Sequence, residues 1–175
     1  METSILIFCK APIQGVVKTR LAVSVGPVRA LSIYKELALA TQRAVSEFKE
    51  VHWIFTPDHD EARNRVMEWI IRPEWSLRPQ KNGDLGERLK DGFNIALKNG
   101  PALAIGTDCP YITSQDLKEA NTVLQNGGDK QLVLGPAKDG GYWLIGMNRF
   151  HPAIFENIPW SSESTLEVTL SRARE

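Results

Sequence analysis

Cysteine is scarce in this sequence, because only Cys9 and Cys109 occur among its 175 residues. Two cysteines provide neither a disulfide framework nor a zinc site. The longest apolar runs, such as residues 5–9, are far shorter than the roughly 20 residues that cross a bilayer. Residues 1–4 also lack the basic side chains that begin a signal peptide. We therefore expect a soluble, cytoplasmic protein that binds no membrane.

Net charge is absent as well. The 21 Lys and Arg residues balance the 21 Asp and Glu residues, so no global field attracts nucleic acid or anionic lipid. The balance fails locally, since no acidic residue lies between Thr3 and Tyr34, a segment with basic residues at positions 10, 18, 20 and 29. A basic segment of this kind suits phosphate groups. It also suits a solvated surface, and composition alone leaves both interpretations open.

The order of apolar patterns indicates the fold class. Strands are predicted at residues 3–8, 51–55, 75–80, 102–105, 131–134 and 142–146. Helices are predicted at residues 27–48, 58–69, 85–98 and 113–126, and from residues 162–164 to the end. Strands that alternate with helices are typical of a largely parallel α/β sheet covered on both faces, although the final pair need not be parallel. With 42% hydrophobic residues, we expect one domain over residues 1–175.

Ligands of open α/β sheets bind beyond the carboxyl ends of the strands, which selects the segment after the first strand. Gly15 allows the backbone of this segment to approach a ligand closely. Lys10, Lys18 and Arg20 can together hold a diphosphate. Lys18 and Arg20 share a face if the segment is extended. The spacing differs from that of a Walker A loop, and an exposed basic loop is the alternative.

Two aspartates follow later strands. Asp108 lies in Gly-Thr-Asp-Cys-Pro after the fourth strand, where a carboxylate can hold Mg²⁺ or Mn²⁺ together with ligand phosphates. A plain turn residue before proline is the alternative there. Asp139 lies in Lys-Asp-Gly-Gly between two strands, which also fits a simple hairpin. If both aspartates serve one site, their carboxylates converge on one cleft with the basic segment.

A glycine near the start of a predicted helix also needs explanation. In Gly-Asp-Leu-Gly-Glu-Arg, Asp84 and Glu87 have the spacing of a capping box. Capping does not explain Gly86, which costs the helix about 1 kcal/mol relative to alanine. A glycine here is expected where something packs against it, for example a nucleobase. Trp160, which follows Pro159, is a candidate for the border of the pocket that holds the substrate or acceptor.

Four motifs in order carry a resemblance to a known family. They are Phe8-Cys-Lys-Ala-Pro-x-x-Gly-x-Val-Lys-Thr-Arg-Leu21, Gly83-Asp-Leu-Gly-Glu-Arg88, Gly106-Thr-Asp-Cys-Pro110 and Gly135-Pro-Ala-x-Asp-Gly-Gly-Tyr142. With these motifs the chain resembles the glycosyltransferase-A-like family known as rSAM/selenodomain-associated transferases. That family is similar to the molybdenum-cofactor and 2-phospholactate guanylyltransferases. The resemblance extends from Ile5 to about Thr169.

The resemblance implies a three-layer nucleotide-diphospho-sugar transferase-like (GT-A) sheet, mostly parallel with an antiparallel strand. Relatives continue into a further strand and an Asp-rich segment, so the domain is expected to lack the usual C-terminal strand. The nucleotide-binding residues implied are Lys10, Gly15, Lys18, Arg20, Gly83 and Gly86. The residues implied to face the transferred group or the acceptor are Asp139, Gly140 and Gly141. Asp108 takes the acidic metal-ligand role, and we expect Asp108 and Asp139 to be catalytic.

The expected function is Mg²⁺- or Mn²⁺-dependent transfer from a nucleotide or nucleotide-sugar donor to a small-molecule acceptor. The transferred group is either glycosyl or nucleotidyl, and the sequence does not choose between them. One alternative is a non-catalytic module that binds the nucleotide or nucleotide sugar without turnover. Another is an interaction protein that uses the fold only as a scaffold, which would bind no nucleotide.

Overall fold

The computed structural model of the chain describes residues 2–69, 72 and 74–175. Its strands are β1 (Ser4–Lys10), β2 (Val51–Thr56), β3 (Ser76–Pro79), β4 (Ala102–Gly106), β5 (Leu132–Pro136) and β6 (Tyr142–Met147). Its α-helices are α1 (Thr19–Val25), α2 (Pro27–Ala44), α3 (Asp60–Met67), α4 (Leu85–Ala96), α5 (Ser114–Asn126) and α6 (Thr165–Arg174). A short 3₁₀ helix covers Pro152–Phe155. Within these described ranges, no helix is both long and apolar enough to cross a membrane.

The strands form one six-stranded sheet in the order β3-β2-β1-β4-β6-β5. Strand β2 pairs with β3 in parallel, whereas β6 is antiparallel to both of its neighbours, β4 and β5. Strands β4 and β5 therefore run in the same direction, and β6 runs against them. This arrangement confirms the expectation of a mostly parallel α/β sheet with an antiparallel strand.

The chain divides into two compact units. The first unit consists of Met1–Leu6, Lys81–Ile105 and Lys118–Glu175, and the second consists of Ile7–Gln80 and Gly106–Leu117. Buried core residues of the first unit include Phe93, Leu103, Leu124, Leu144 and Met147. Those of the second unit include Ile7, Trp53, Ile54, Phe55 and Val66. Each unit has apolar side chains removed from water, and the expectation of a single domain over residues 1–175 stays a prediction.

Local chemistry at the N-terminus explains the starts of three helices. Pro27 is at the first position of α2, where its fixed φ and missing N–H carry no penalty. The Asp84 side chain accepts a hydrogen bond from the Glu87 backbone N–H at 2.9 Å and so caps α4. Before α5, the Thr113 N–H donates to Asp116 Oδ2 at 2.9 Å, and the Asp116 N–H donates to Thr113 Oγ1 at 3.2 Å. The predicted strands and helices all occur, with ends shifted by a few residues.

Helix α1 is the α-helix that the sequence did not predict. It has only seven residues, none of them buried, and is too short for a helical period to be read from its sequence. Lys18 precedes the helix in a left-handed conformation, with φ 48° and ψ 41°. Residues 18–20 are therefore not extended, and the condition under which Lys18 and Arg20 would share one face is not met.

The close packing of β6 generates a stability prediction. A Cβ at Gly146 would clash with Leu103 Cδ2 and would lie 3.2 Å from Leu124 Cδ1. We expect Gly146→Ala to lower the free energy of unfolding by about 1–3 kcal/mol, because it overpacks this core. Urea denaturation measures the change. The control is Gly128→Ala, where a Cβ meets nothing within 4 Å, and equal stability of the two variants would contradict the packing argument.

Candidate functional site

The hydroxyl of Tyr34, on α2, holds the carboxyl end of β1. The Lys10 N–H donates to Tyr34 Oη at 2.9 Å, and Tyr34 Oη donates to the Lys10 carbonyl at 2.7 Å. Thr107 Oγ1 lies 3.1 Å from the same oxygen. Since a phenol has one proton, which is directed to Lys10, Thr107 is the donor in this contact. Burial raises the pKa of Tyr34, so the phenol keeps its proton at neutral pH.

Residue Asp108 follows Thr107 and pairs with Lys18. Lys18 Nζ lies 3.0 Å from Asp108 Oδ1, and the side chains are 24% and 70% exposed respectively. An ion pair this exposed contributes about 0–1 kcal/mol to stability. The pair is therefore important for where it places the two charges, and not for stability. The structure brings together a cation from the basic segment and the carboxylate after β4, which are two of the residues singled out in the sequence.

The remaining residues of the basic segment belong to the same unit. Gly15 has φ +81°, and a Cβ there would meet nothing within 4 Å, so the backbone at this point faces open space. Lys10 and Arg20 are exposed, and Arg20 lies in the first turn of α1. The structure leaves all three accessible to a ligand. Their contact with phosphate stays a prediction.

The donor set limits which metal chemistry is possible. Among the residues that the structure describes, no group of three or more His, Cys, Asp and Glu side chains is placed to hold a metal ion. Mg²⁺ is usually bound by one or two carboxylates together with waters and substrate phosphates, and not by a cage of protein ligands. A single carboxylate such as that of Asp108 is enough for a cation that enters together with a phosphorylated ligand.

In the first unit, Gly86 accommodates a side chain of this protein. A Cβ at Gly86 would lie 2.8 Å from Trp160 Nε1 and 3.1 Å from Trp160 Cε2. The Trp160 ring meets Tyr142 edge-on, with ring centroids 6.5 Å apart. Asn157 and Ser161, on either side of Trp160 in the chain, have φ values of 54° and 64°. The packing partner that Gly86 required is therefore an indole. A nucleobase near Gly86 and Gly83 stays a prediction.

The hairpin turn between β5 and β6 explains much of the Asp139 motif. Asp139 is exposed, and its Oδ1 accepts a hydrogen bond from the Gly141 N–H at 3.1 Å. Gly140 has φ +82°, and a Cβ there would overlap the backbone of Glu163. The Gly140 carbonyl accepts from the Leu166 N–H at 2.9 Å, so this turn is docked on the start of α6.

A simple hairpin turn is therefore enough to explain the local structure at Asp139 and Gly140. We predict from the sequence that Asp139, Gly140, Gly141 and Trp160 face the transferred group or the acceptor, and this stays a prediction. Asp108 belongs to the second unit and Asp139 to the first, and their convergence on one cleft also stays a prediction.

Two positioning side chains were missed in the sequence. Tyr34 was not singled out in the sequence, although a buried tyrosine hydroxyl usually has a hydrogen-bond partner, which is a usable signal. Gln80, after β3, donates through Nε2 to the Cys9 carbonyl at 3.0 Å and to the Ile54 carbonyl at 2.9 Å. Nothing local marks Gln80, because its acceptors are on β1 and β2, far away in the sequence.

The turn contact of Asp139 predicts how substitutions affect stability. Asp139→Ala removes the acceptor for the Gly141 N–H and should lower the free energy of unfolding by about 0.5–1.5 kcal/mol. Asp139→Asn keeps an Oδ1 acceptor and should change it by less than about 0.5 kcal/mol. Chemical denaturation measures both values. If Asp139→Asn were as destabilising as Asp139→Ala, the carboxylate charge, and not the turn, would be responsible.

A family comparison and a search of curated proteins frame this site. The sequence model of a family described as "Uncharacterized protein conserved in bacteria (DUF2064)" matches residues 39–162, which is more than half of the chain. No curated protein matches the sequence significantly.

Solved structures show the same fold. A candidate nucleotide-diphospho-sugar transferase from Desulfovibrio desulfuricans G20 is 28% identical, with a TM-score of 0.88 over 99% of this chain and 78% of its own. A cytidylyltransferase from Leptospira borgpetersenii serovar Hardjo-bovis is 16% identical, with a TM-score of 0.59 over 97% and 74%. A 4-diphosphocytidyl-2C-methyl-D-erythritol synthase from Anaerococcus prevotii DSM 20548 is 14% identical, with a TM-score of 0.52 over 99% and 85%. The nucleotide-diphospho-sugar transferase fold expected from the four motifs is thereby confirmed.

Proposed function

We propose that this chain, which belongs to the DUF2064 family, is a transferase that takes a glycosyl or nucleotidyl group from a nucleotide-activated donor. The observation that carries the proposal is the ion pair between Lys18, which follows β1, and Asp108, which follows β4. Lys18 Nζ lies 3.0 Å from Asp108 Oδ1. These strands are neighbours in the sheet, and ligands of such sheets bind beyond the carboxyl ends of strands where the strand order reverses. The likeness to the Desulfovibrio protein, which covers 99% of this chain, supports the same donor class.

In this proposal the second unit binds the phosphates of the donor. Lys10 and Lys18 provide point charges, and the guanidinium of Arg20 provides a bidentate fork for phosphate oxygens. Asp108 holds Mg²⁺ or Mn²⁺ that enters with the donor. When bound, such a cation neutralises the charge that develops on the phosphate oxygens during transfer. Lys18 is already beside Asp108 and would remain within reach of a phosphate bound there.

The base and the acceptor are assigned to other residues in this proposal. Gly83 and Gly86, at the start of α4, lie near the base in this proposal. The small-molecule acceptor contacts Gly140, Gly141 and Trp160, with Asp139 as the second catalytic carboxylate. Apart from Trp160, these residues belong to two of the four motifs by which the chain resembles the rSAM/selenodomain-associated transferases. Glycosyl transfer would release a nucleoside diphosphate and nucleotidyl transfer would release pyrophosphate, so product analysis separates the two reactions.

One observation favours a second candidate function, a nucleotide-binding module without turnover. The hydrogen bond from the Gly141 N–H to Asp139 accounts for this carboxylate through turn structure alone. A module of this kind would bind the donor and release no product with any acceptor.

Ligand-dependent stabilisation tests the proposed donor class. We expect a nucleoside diphosphate or nucleotide sugar to raise the Tm with Mn²⁺ present, because a ligand at 100 times its Kd stabilises the folded state by about 2.7 kcal/mol. Asp108→Asn should remove the Mn²⁺-dependent part of the shift. The matched control is Glu36→Gln, which removes one exposed negative charge from α2 in the same unit.

Two outcomes of this thermal-shift experiment would count against the proposal. If no nucleotide or nucleotide sugar changed the Tm with or without Mn²⁺, the donor class would be wrong. If Asp108→Asn kept the full Mn²⁺-dependent shift, Asp108 would not be the cation ligand.

Arg20 provides an independent test of phosphate binding. Because Arg20 is exposed, Arg20→Ala should leave the Tm of the ligand-free protein almost unchanged. It should weaken nucleotide binding about tenfold or more, the usual cost of a lost hydrogen bond to a charged group. Arg20→Lys should also weaken it, since a point charge does not reproduce a fork. Titration calorimetry measures the affinities, with Arg63→Ala, an exposed position on α3, as the control. Unchanged affinity in Arg20→Ala would remove this residue from the site.

A further inference from the structure

The Tyr34 hydroxyl occupies the position of a neighbouring strand at the end of β1. The Ala11 N–H donates to the Thr56 carbonyl on β2 at 2.8 Å. Successive residues of an extended chain direct their backbone polar groups to opposite sides, so Lys10 directs its N–H and carbonyl away from β2. On that side β4 ends at Gly106, and the phenol bonds both Lys10 groups.

The same oxygen also contacts the residue that precedes Asp108. Thr107 is 3% exposed, and its hydroxyl donates to Tyr34 Oη over 3.1 Å. The three hydrogen bonds use the donor and both acceptor sites of the phenol. One atom thereby links the backbone of Lys10, where the basic segment begins, to the turn that carries Asp108.

The ring of Tyr34 is itself fixed. Tyr34 is 3% exposed, and its ring packs against Trp69 with centroids 5.7 Å apart. Trp69 packs against Trp53 of β2, with centroids 5.9 Å apart. The ring that carries the hydroxyl is therefore fixed in an aromatic cluster in which Tyr34 and Trp53 are buried and Trp69 is half-buried, and the hydroxyl is an anchor for two exposed segments.

We propose that Tyr34 is a positioning residue of the nucleotide site, whose hydroxyl sets where Lys10 and Asp108 stand relative to the donor's phosphates. This inference rests on the proposed function and adds to it a residue that contacts no ligand. A phenylalanine fills nearly the same space, but it leaves the N–H and carbonyl of Lys10 and the hydroxyl of Thr107 without their shared partner. Buried polar groups left without a partner carry a desolvation penalty, so the present arrangement is disfavoured in this variant and the two segments lose their common anchor.

The test compares Tyr34→Phe with Thr41→Val. Thr41 is on the same helix, is 0% exposed, and donates through its hydroxyl to the Leu37 carbonyl at 3.3 Å. Both variants lose one buried hydroxyl, so both should lose stability, but only Tyr34→Phe touches the site. The probe is inorganic pyrophosphate with Mn²⁺, which represents the phosphates of any donor whatever its base. We expect titration calorimetry to show affinity reduced about 10–100-fold in Tyr34→Phe, the usual effect of removing an outer partner of a metal site, and unchanged affinity in Thr41→Val.

Two further measurements keep the test decisive. Thr107→Val retains the ring and removes one of the three hydrogen bonds, so it should weaken the affinity in the same direction but less. Amide hydrogen exchange of the ligand-free protein should become faster at Lys10 and over residues 107–109 in Tyr34→Phe, and should stay unchanged there in Thr41→Val.

The outcomes separate this inference from the function on which it rests. If the unmodified protein binds the probe and Tyr34→Phe binds it equally well, or if exchange at Lys10 does not change, the positioning role is overturned and the proposed function stands. If the unmodified protein binds neither the probe nor any nucleotide, the proposed function fails and the positioning role fails with it, even where exchange at Lys10 changes.

Discussion

The hydrogen bonds of one buried phenol join the two backbone segments that carry the candidate site. Lys10, Arg20 and Asp108 are exposed and Lys18 is half-buried, and exposed segments have few packing contacts of their own. Their geometry must come from anchors at the backbone where they leave the sheet. Tyr34 is such an anchor, because it bonds both backbone groups of Lys10 and the hydroxyl of Thr107. The Gln80 side chain is a second anchor, because it donates a hydrogen bond to the carbonyl of Cys9, the residue before Lys10.

The fold was predictable where burial leaves a pattern in the sequence. Strand β4 buries four of its five residues and reads as a continuous apolar run. Helix α4 buries one face, with Leu89 and Phe93 among the residues there, and its start has a capping aspartate. Helix α1 has only seven residues and none of them is fully buried, so its sequence is too short to show a helical period. The left-handed Lys18 that precedes it is not a glycine, asparagine or aspartate, the residues for which that conformation is expected.

Individual residues of the candidate site could be predicted from the sequence, but their spatial arrangement could not. The rule that ligands bind beyond strand ends selected Lys18 and Asp108 separately, and their contact depends on β1 and β4 being neighbours. Gly86 indicated that something packs against it, but the partner, Trp160, belongs to a distant segment. Tyr34 was missed because tyrosine and phenylalanine contribute in the same way to the helical pattern of apolar residues. Hydrogen bonds between distant residues do not appear in local patterns.

The pairing of Lys18 with Asp108 gives this carboxylate a counter-ion before any ligand arrives. With Asp108 as the proposed cation ligand, a divalent ion that arrives alone would have to displace an ammonium tethered to the same chain. It would then leave two positive groups next to one negative group. A divalent ion that arrives with phosphates brings the anionic oxygens that the displaced lysine requires. Electroneutrality would therefore let the chain distinguish a nucleotide-bound ion from the free ions of the solution, with no additional residue dedicated to the choice.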